Sequence, residues 1–91
     1  MPKFIIEREI LGIGSAPPAE MQSGAQRSNE ALHALGPRIQ WVESYVTSDG
    51  TYCVYIAPNK EMVLEHGKLS GFPVNKIVEV KAKIDPTTAE G

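Results

Sequence analysis

Two runs of β-branched and aromatic residues flank a Ser-Asp-Gly turn between Ile39 and Pro58, in the stretch IQWVESYVTSDGTYCVYIAP. This is a hairpin signal, and no other segment of the chain makes so strong a structural statement. The same stretch holds the only Trp, the only Cys and all three Tyr residues. Its register decides which of them share a face. A two-residue Asp49-Gly50 turn sets Ser48 opposite Thr51 and groups Cys53 with Val42 and Val46. A three-residue Ser48-Asp49-Gly50 loop with Gly50 left-handed sets Thr47 opposite Thr51. The second register is preferred, because it gives one clean apolar core face of Val42, Val46, Tyr52, Val54 and Ile56. The opposite face then mixes Ile39, Trp41, Glu43, Tyr45, Cys53, Tyr55 and Ala57, and a one-residue slip would reverse the assignment of the partner strand.

The flanking segments alternate in type. Lys3 to Glu9 reads as a strand with Phe4 and Ile6 on one face and Ile5 and Glu7 on the other. Ile10 to Pro18, broken by Gly12, Gly14, Pro17 and Pro18, reads as a flexible loop; Gly12-Ile13-Gly14 lacks the further glycines and the lysine of phosphate-cradling motifs. Met21, Ala25, Ser28, Leu32 and Leu35 recur at helical spacing from Pro18 to Leu35. Pro18 suits a first turn, Pro17 offers no capping oxygen, and Gly36-Pro37 ends the helix. Asn59 caps a second helix reaching Ser70, with Met62, Val63, His66 and Leu69 inward and Gly67 as either a close-packing point or a tolerated cost. Gly71-Phe72-Pro73 stops it. Lys76 to Ile84 reads as the last strand, and Asp85-Pro86 ends it.

The order is β-α-β-β-α-β. With right-handed crossovers it closes into an α+β, ferredoxin-like arrangement, a four-stranded antiparallel sheet with two helices on one face. A chain of 91 residues makes one domain with a thin core, here residues 1–86, with 87–91 as a tail. Trp41, Tyr45 and Tyr55 are expected on the uncovered sheet face, an apolar area that a homodimer through the sheet faces would cover, as in dimeric α+β barrels.

Composition excludes several classes of function. Nine Lys and Arg against eleven Asp and Glu give a net charge of −2, and the basic residues are scattered, so no nucleic acid partner is expected. Apolar runs fall far short of the ~20 residues that span a bilayer, so no membrane partner is expected either. The opening MPKFIIERE has charges where a signal peptide needs its apolar run, which points to a cytoplasmic protein. One Cys excludes an internal disulfide and any Cys-x-x-Cys motif.

Each reactive side chain has a plain and a functional reading. His66 is either a partly buried histidine satisfied by a backbone carbonyl or, with Glu65 and Glu61, a donor set suited to nickel or zinc. His33, near Asn29 and Glu30, is a solvated surface histidine or a weaker cation site. Cys53 is a buried structural thiol or part of a pocket. Glu43, expected beside Trp41 and Tyr45, is either a partner for Lys81 or Lys83 or a proton-transfer group.

The segments PKFIIERE, GPRIQWVESYVTSDGTYCVYIAPNKE, LEHGKLSGFPVNKI and KIDPTTAE together resemble the small bacterial family known as domain of unknown function 4242. That family includes a nickel-binding protein proposed to act in nickel sequestration. The resemblance implies a ferredoxin-like fold, a homodimer and surface-bound divalent nickel; no organic cofactor is expected. His66, in the Glu-His block, is the best-matched donor. The chain departs from the family pattern at Pro17-Pro18-Ala19-Glu20, where Thr-Pro-Glu-Glu is common, and at Gly67, where Ala is common. The function expected is weak nickel binding for sequestration, with His66, Glu65 and Glu61 as donors. The alternative is a cofactor-free monooxygenase- or isomerase-like enzyme. There Glu43 and Tyr45 act as catalytic residues, and Trp41, Tyr55 and Cys53 line the substrate pocket.

Overall fold

The computed structural model describes residues 1–91. Its elements are β1 (Lys3–Glu9), α1 (Pro18–Leu35), β2 (Gln40–Val46), β3 (Gly50–Ile56), α2 (Lys60–Ser70) and β4 (Lys76–Glu79), with short 3₁₀ turns at Ile13–Ser15 and Pro86–Glu90. The strands form one antiparallel sheet in the order β2-β3-β1-β4. This is the ferredoxin-like topology that the element order predicts. The helix ends follow local chemistry. Pro17 gives α1 no side-chain cap. Asn59 accepts from the Met62 N–H at the start of α2, and Gly71, at φ +77°, closes it. Within α2 a Cβ on Gly67 would lie 2.7 Å from Val74 Cγ2, so this glycine serves close packing.

The core lies between the sheet and the helices. Phe4, Ile6, Ile39, Cys53, Tyr55, Ala57 and Val63 are buried together, with Leu32, Leu35, Trp41, Met62, Val74 and Ile77 packed against them. The covered face of the hairpin therefore carries Ile39, Trp41, Cys53, Tyr55 and Ala57 of the mixed set, reversing the assignment of Tyr52, Val54 and Ile56 to the core, and Val42 and Val46 are exposed. Both faces of β3 alternate apolar residues, so apolarity alone does not choose between them. The choice is made by what α1 and α2 offer: small Ser28 and Ala31, with Val63, His66 and Gly67, are buried there and accommodate the Tyr55 ring.

The hairpin adopts neither expected register. Val46 pairs with Thr51, and the Thr47 N–H donates to the Gly50 carbonyl at 2.8 Å, so Ser48 and Asp49 occupy the turn. Gly50 is needed for a different reason than a left-handed turn. A Cβ there would lie 2.6 Å from the Arg8 carbonyl oxygen, so only glycine lets β3 approach β1 this closely. The register also shifts between Trp41 and Glu43. That bulge at Val42 puts Trp41 in phase with Ser44, to whose Oγ its indole N–H donates at 2.9 Å. Glu43 falls on the opposite face.

Three further expectations are corrected. Ile10 to Pro18 is anchored rather than flexible: the Ile10 N–H donates to the Asp49 carbonyl, the Gly14 N–H to the Ser48 carbonyl and the Gly12 N–H to Asp49 Oδ1. Leu69 is 52% exposed, because the buried stripe of α2 runs through Val63, His66, Gly67 and Ser70. The last strand stops at Glu79 instead of Ile84. Its final ladder bond runs from the Val80 N–H to the Lys3 carbonyl, and antiparallel to β1 it then runs past the start of that strand, where Pro2 has no N–H to give.

Candidate functional site

Beneath the N-terminal half of α1 the sheet is incompletely covered. Gly24, Ala25 and Ser28 are too small to fill the space between α1 and β2-β3, which leaves a cleft of about 520 Å³. Trp41 and Tyr55 from the sheet, Met21 from α1, Ile13 from the anchored loop and Phe72 from the segment after α2 supply its apolar walls. Clefts of this size with aromatic walls and a few polar groups are the usual form of a small-molecule site.

Polar groups gather on the cleft's inner side. Arg8, on β1, follows Phe4 and Ile6 at two-residue spacing and so points to the covered face. Only 4% of it is exposed. Its guanidinium carbon lies 5.9 Å from the Tyr55 ring centroid and 5.7 Å from that of Phe72. Ser28 Oγ lies 3.5 Å from the Tyr55 hydroxyl and 3.1 Å from His66 Nε2, which is also 3.3 Å from the Ser28 carbonyl oxygen. The tautomer with its proton on Nε2 can donate to these Ser28 oxygens, while Nδ1 is buried without a partner. The Tyr55 and His66 rings meet at 4.8 Å, tilted by 53°. Burial pushes the Tyr55 phenol up from its ordinary pKa.

His66 is fully buried, and burial holds its pKa below the ordinary value of 6.5, with the positive charge of Arg8 acting in the same direction and the Ser28 carbonyl opposing both. The sign of the resulting pH dependence is fixed. As pH falls through the ordinary histidine range, the unfolded chain takes up a proton that the folded chain refuses, so stability is lost from about pH 6.5 downward. The urea midpoint is expected to be lower at pH 5.5 than at pH 7.5, and His66→Gln is expected to flatten that difference. An equal fall in both proteins would exclude His66 as its source.

The residues singled out in the sequence are divided between two faces. Trp41, Tyr55 and Cys53 all line the cleft, and the Cys53 thiol faces Thr51 Oγ1 at 3.5 Å. Glu43 and Tyr45 do not. Both are exposed on the uncovered face, where the Tyr45 hydroxyl donates to Glu43. That hydrogen bond, then the carboxylate's charge, raises the Tyr45 pKa. Placing Glu43 beside Trp41 is corrected by the bulge at Val42.

The nickel donors are not assembled either. His66 is turned inward, while Glu61, Glu65 and His33 are exposed. No group of three or more His, Cys, Asp or Glu side chains in the chain is placed to hold a metal ion. A cation at the free Nδ1 of His66 would also meet the positive charge of Arg8, which already disfavours the imidazolium. The residues of one chain therefore do not fit a nickel site.

Arg8, Phe72 and the polar role of Ser28 are additions that the structure makes to the residues read from the sequence. The signal for Arg8 was available, as a charge in phase with the apolar pair Phe4 and Ile6.

The family model described as "Nickel responsive protein SCO4226-like" matches residues 4–80. Among solved structures, that of SCO4226 from Streptomyces coelicolor A3(2) superposes with a TM-score of 0.76, covering 90% of this chain and 99% of that one at 15% sequence identity. At that identity the likeness speaks for the fold. No curated protein matches the chain. No helix is long and apolar enough to cross a membrane.

Proposed function

We propose, for a chain that belongs to the nickel responsive SCO4226-like family, that it binds a small, largely apolar organic molecule in the cleft under α1. One observation carries this reading: a space of about 520 Å³ walled by Trp41, Tyr55, Phe72 and Met21 lies beside buried polar groups that a fully packed core would not leave there. The protein would work in the cytoplasm as a homodimer. Support for the dimer comes from the sheet face that no helix covers, where Tyr45, Tyr52 and Val78 are exposed beside half-buried Ile5, Val54 and Ile56. An apolar face of this kind is commonly covered by a second copy.

Nickel sequestration is the second reading, favoured by the family's description. Because one chain gathers no complete donor set, such a site would draw ligands from two copies. A proton-transfer role for Glu43 and Tyr45 would likewise belong to the dimer interface rather than to the cleft.

Trp41 is the only Trp and lines the cleft, so its fluorescence reports directly on occupancy. Titration with a panel of planar aromatic compounds, neutral and acidic, is expected to give a saturable change at micromolar concentration. A response to nickel chloride alone, reversed by a chelator and matched by none of the organic probes, would overturn the cleft reading.

A further inference from the structure

We infer that the cleft's ligand carries one carboxylate and that the guanidinium of Arg8 receives it; this rests on the cleft-binding reading above. Arg8 is 4% exposed, and its Nε and Nη2 are buried without a hydrogen-bond partner. The ion pairs of the molecule, Lys76–Glu7, Lys81–Glu79 and Lys83–Asp85, leave it out. The faces of Tyr55 and Phe72 give it some cation–π stabilisation. They do not satisfy its N–H donors. A buried charge is ordinarily paired and hydrogen-bonded, so a guanidinium whose Nε and Nη2 have no partner, and which no carboxylate of the chain pairs, suits a ligand that brings the anion.

The surroundings select the kind of anion. A guanidinium fork matches the planar carboxylate, which accepts two parallel hydrogen bonds. One buried cation balances one negative charge, whereas a phosphate dianion would leave charge uncompensated among apolar walls. The Ser28 and Tyr55 hydroxyls provide further polar contacts on the same side. Toward the outer cleft, Arg27 lies over the Phe72 ring at 4.7 Å. Glu9 and Glu20 also line the cleft, but both are exposed and neither pairs with Arg8.

The test uses a matched pair of probes, 2-naphthoate and 2-naphthamide, titrated calorimetrically into the wild-type protein and into Arg8→Met and Arg8→Lys. The wild type is expected to bind the acid about tenfold or more tighter than the amide, the range of hydrogen bonds to a charged group. Arg8→Met is expected to lose that preference while still binding the amide. It should also melt no lower than the wild type, because it removes an uncompensated buried charge. Arg8→Lys should retain part of the preference, since it keeps the charge without the fork. Equal wild-type affinities for acid and amide would overturn the carboxylate inference and leave the cleft reading standing. Binding of neither probe would overturn both.

Discussion

Replacing Tyr55 with alanine is expected to cost about 3–5 kcal/mol of folding stability, the range for deleting a buried aromatic ring. Tyr55 is 2% exposed. It sits on β3 between Phe4 of β1 and Trp41 of β2, with its ring against His66 and its hydroxyl near Ser28 Oγ. Truncation therefore leaves a cavity where sheet, α1 and α2 meet. It also leaves Ser28 and His66 without that aromatic neighbour. Since small domains are stable by only about 5–15 kcal/mol, this is a large share of the total, and the variant's urea midpoint should fall steeply. Tyr45→Ala is the matched control. At 57% exposed, its loss should leave the monomer's urea midpoint nearly unchanged. Urea unfolding of both variants decides the matter. Equal costs would mean that the two tyrosines share a face, which the bulged register forbids.

Gly50→Ala is expected to destabilise by about 1–3 kcal/mol, as overpacking does. The added methyl would lie 2.6 Å from the Arg8 carbonyl oxygen. That oxygen is backbone, so relief requires β1 and β3 to separate at the pairing of Glu9 with Gly50. The strain would propagate to the loop bonds at Asp49, which hold Ile10 and Gly12. The comparison of urea midpoints checks this directly. A midpoint unchanged from wild type would show that the sheet relaxes freely there and that Gly50 serves the turn alone.

The same two residues show what was legible in the sequence. Helix ends could be read because each is set locally: Pro17 fails to cap α1, Asn59 caps α2 and Gly71 closes it. Element order then gave the topology. Register was harder, because Ser-Asp-Gly reads as a turn with Gly50 at its left-handed position, whereas Gly50 is occupied by a contact with β1, a strand far away in sequence. A bulge at Val42 has no local signature among alternating apolar residues, and it alone separates Trp41 from Glu43. The pocket residues Trp41, Tyr55 and Cys53 come together on the covered face, although they were expected on the open one. One chain does not bring His66, Glu65 and Glu61 together, for a geometric reason. Residues one apart on a helix point in different directions, and His66 lies on the buried stripe while its neighbour Glu65 does not. Arg8 was readable by the same periodicity that placed Phe4 and Ile6 in the core. What the sequence could not reveal was that no carboxylate waits opposite it.

Binding in the cleft is tested by a chemical-shift map of ¹⁵N-labelled protein, titrated with whichever organic probe most strongly perturbs Trp41 fluorescence. The largest changes are expected at the Trp41 indole N–H, the Arg8 Nε–H and the backbone of Ser28, Tyr55 and Phe72. Changes confined to Tyr45, Tyr52 and Val78 would place binding on the open sheet face and contradict the cleft reading.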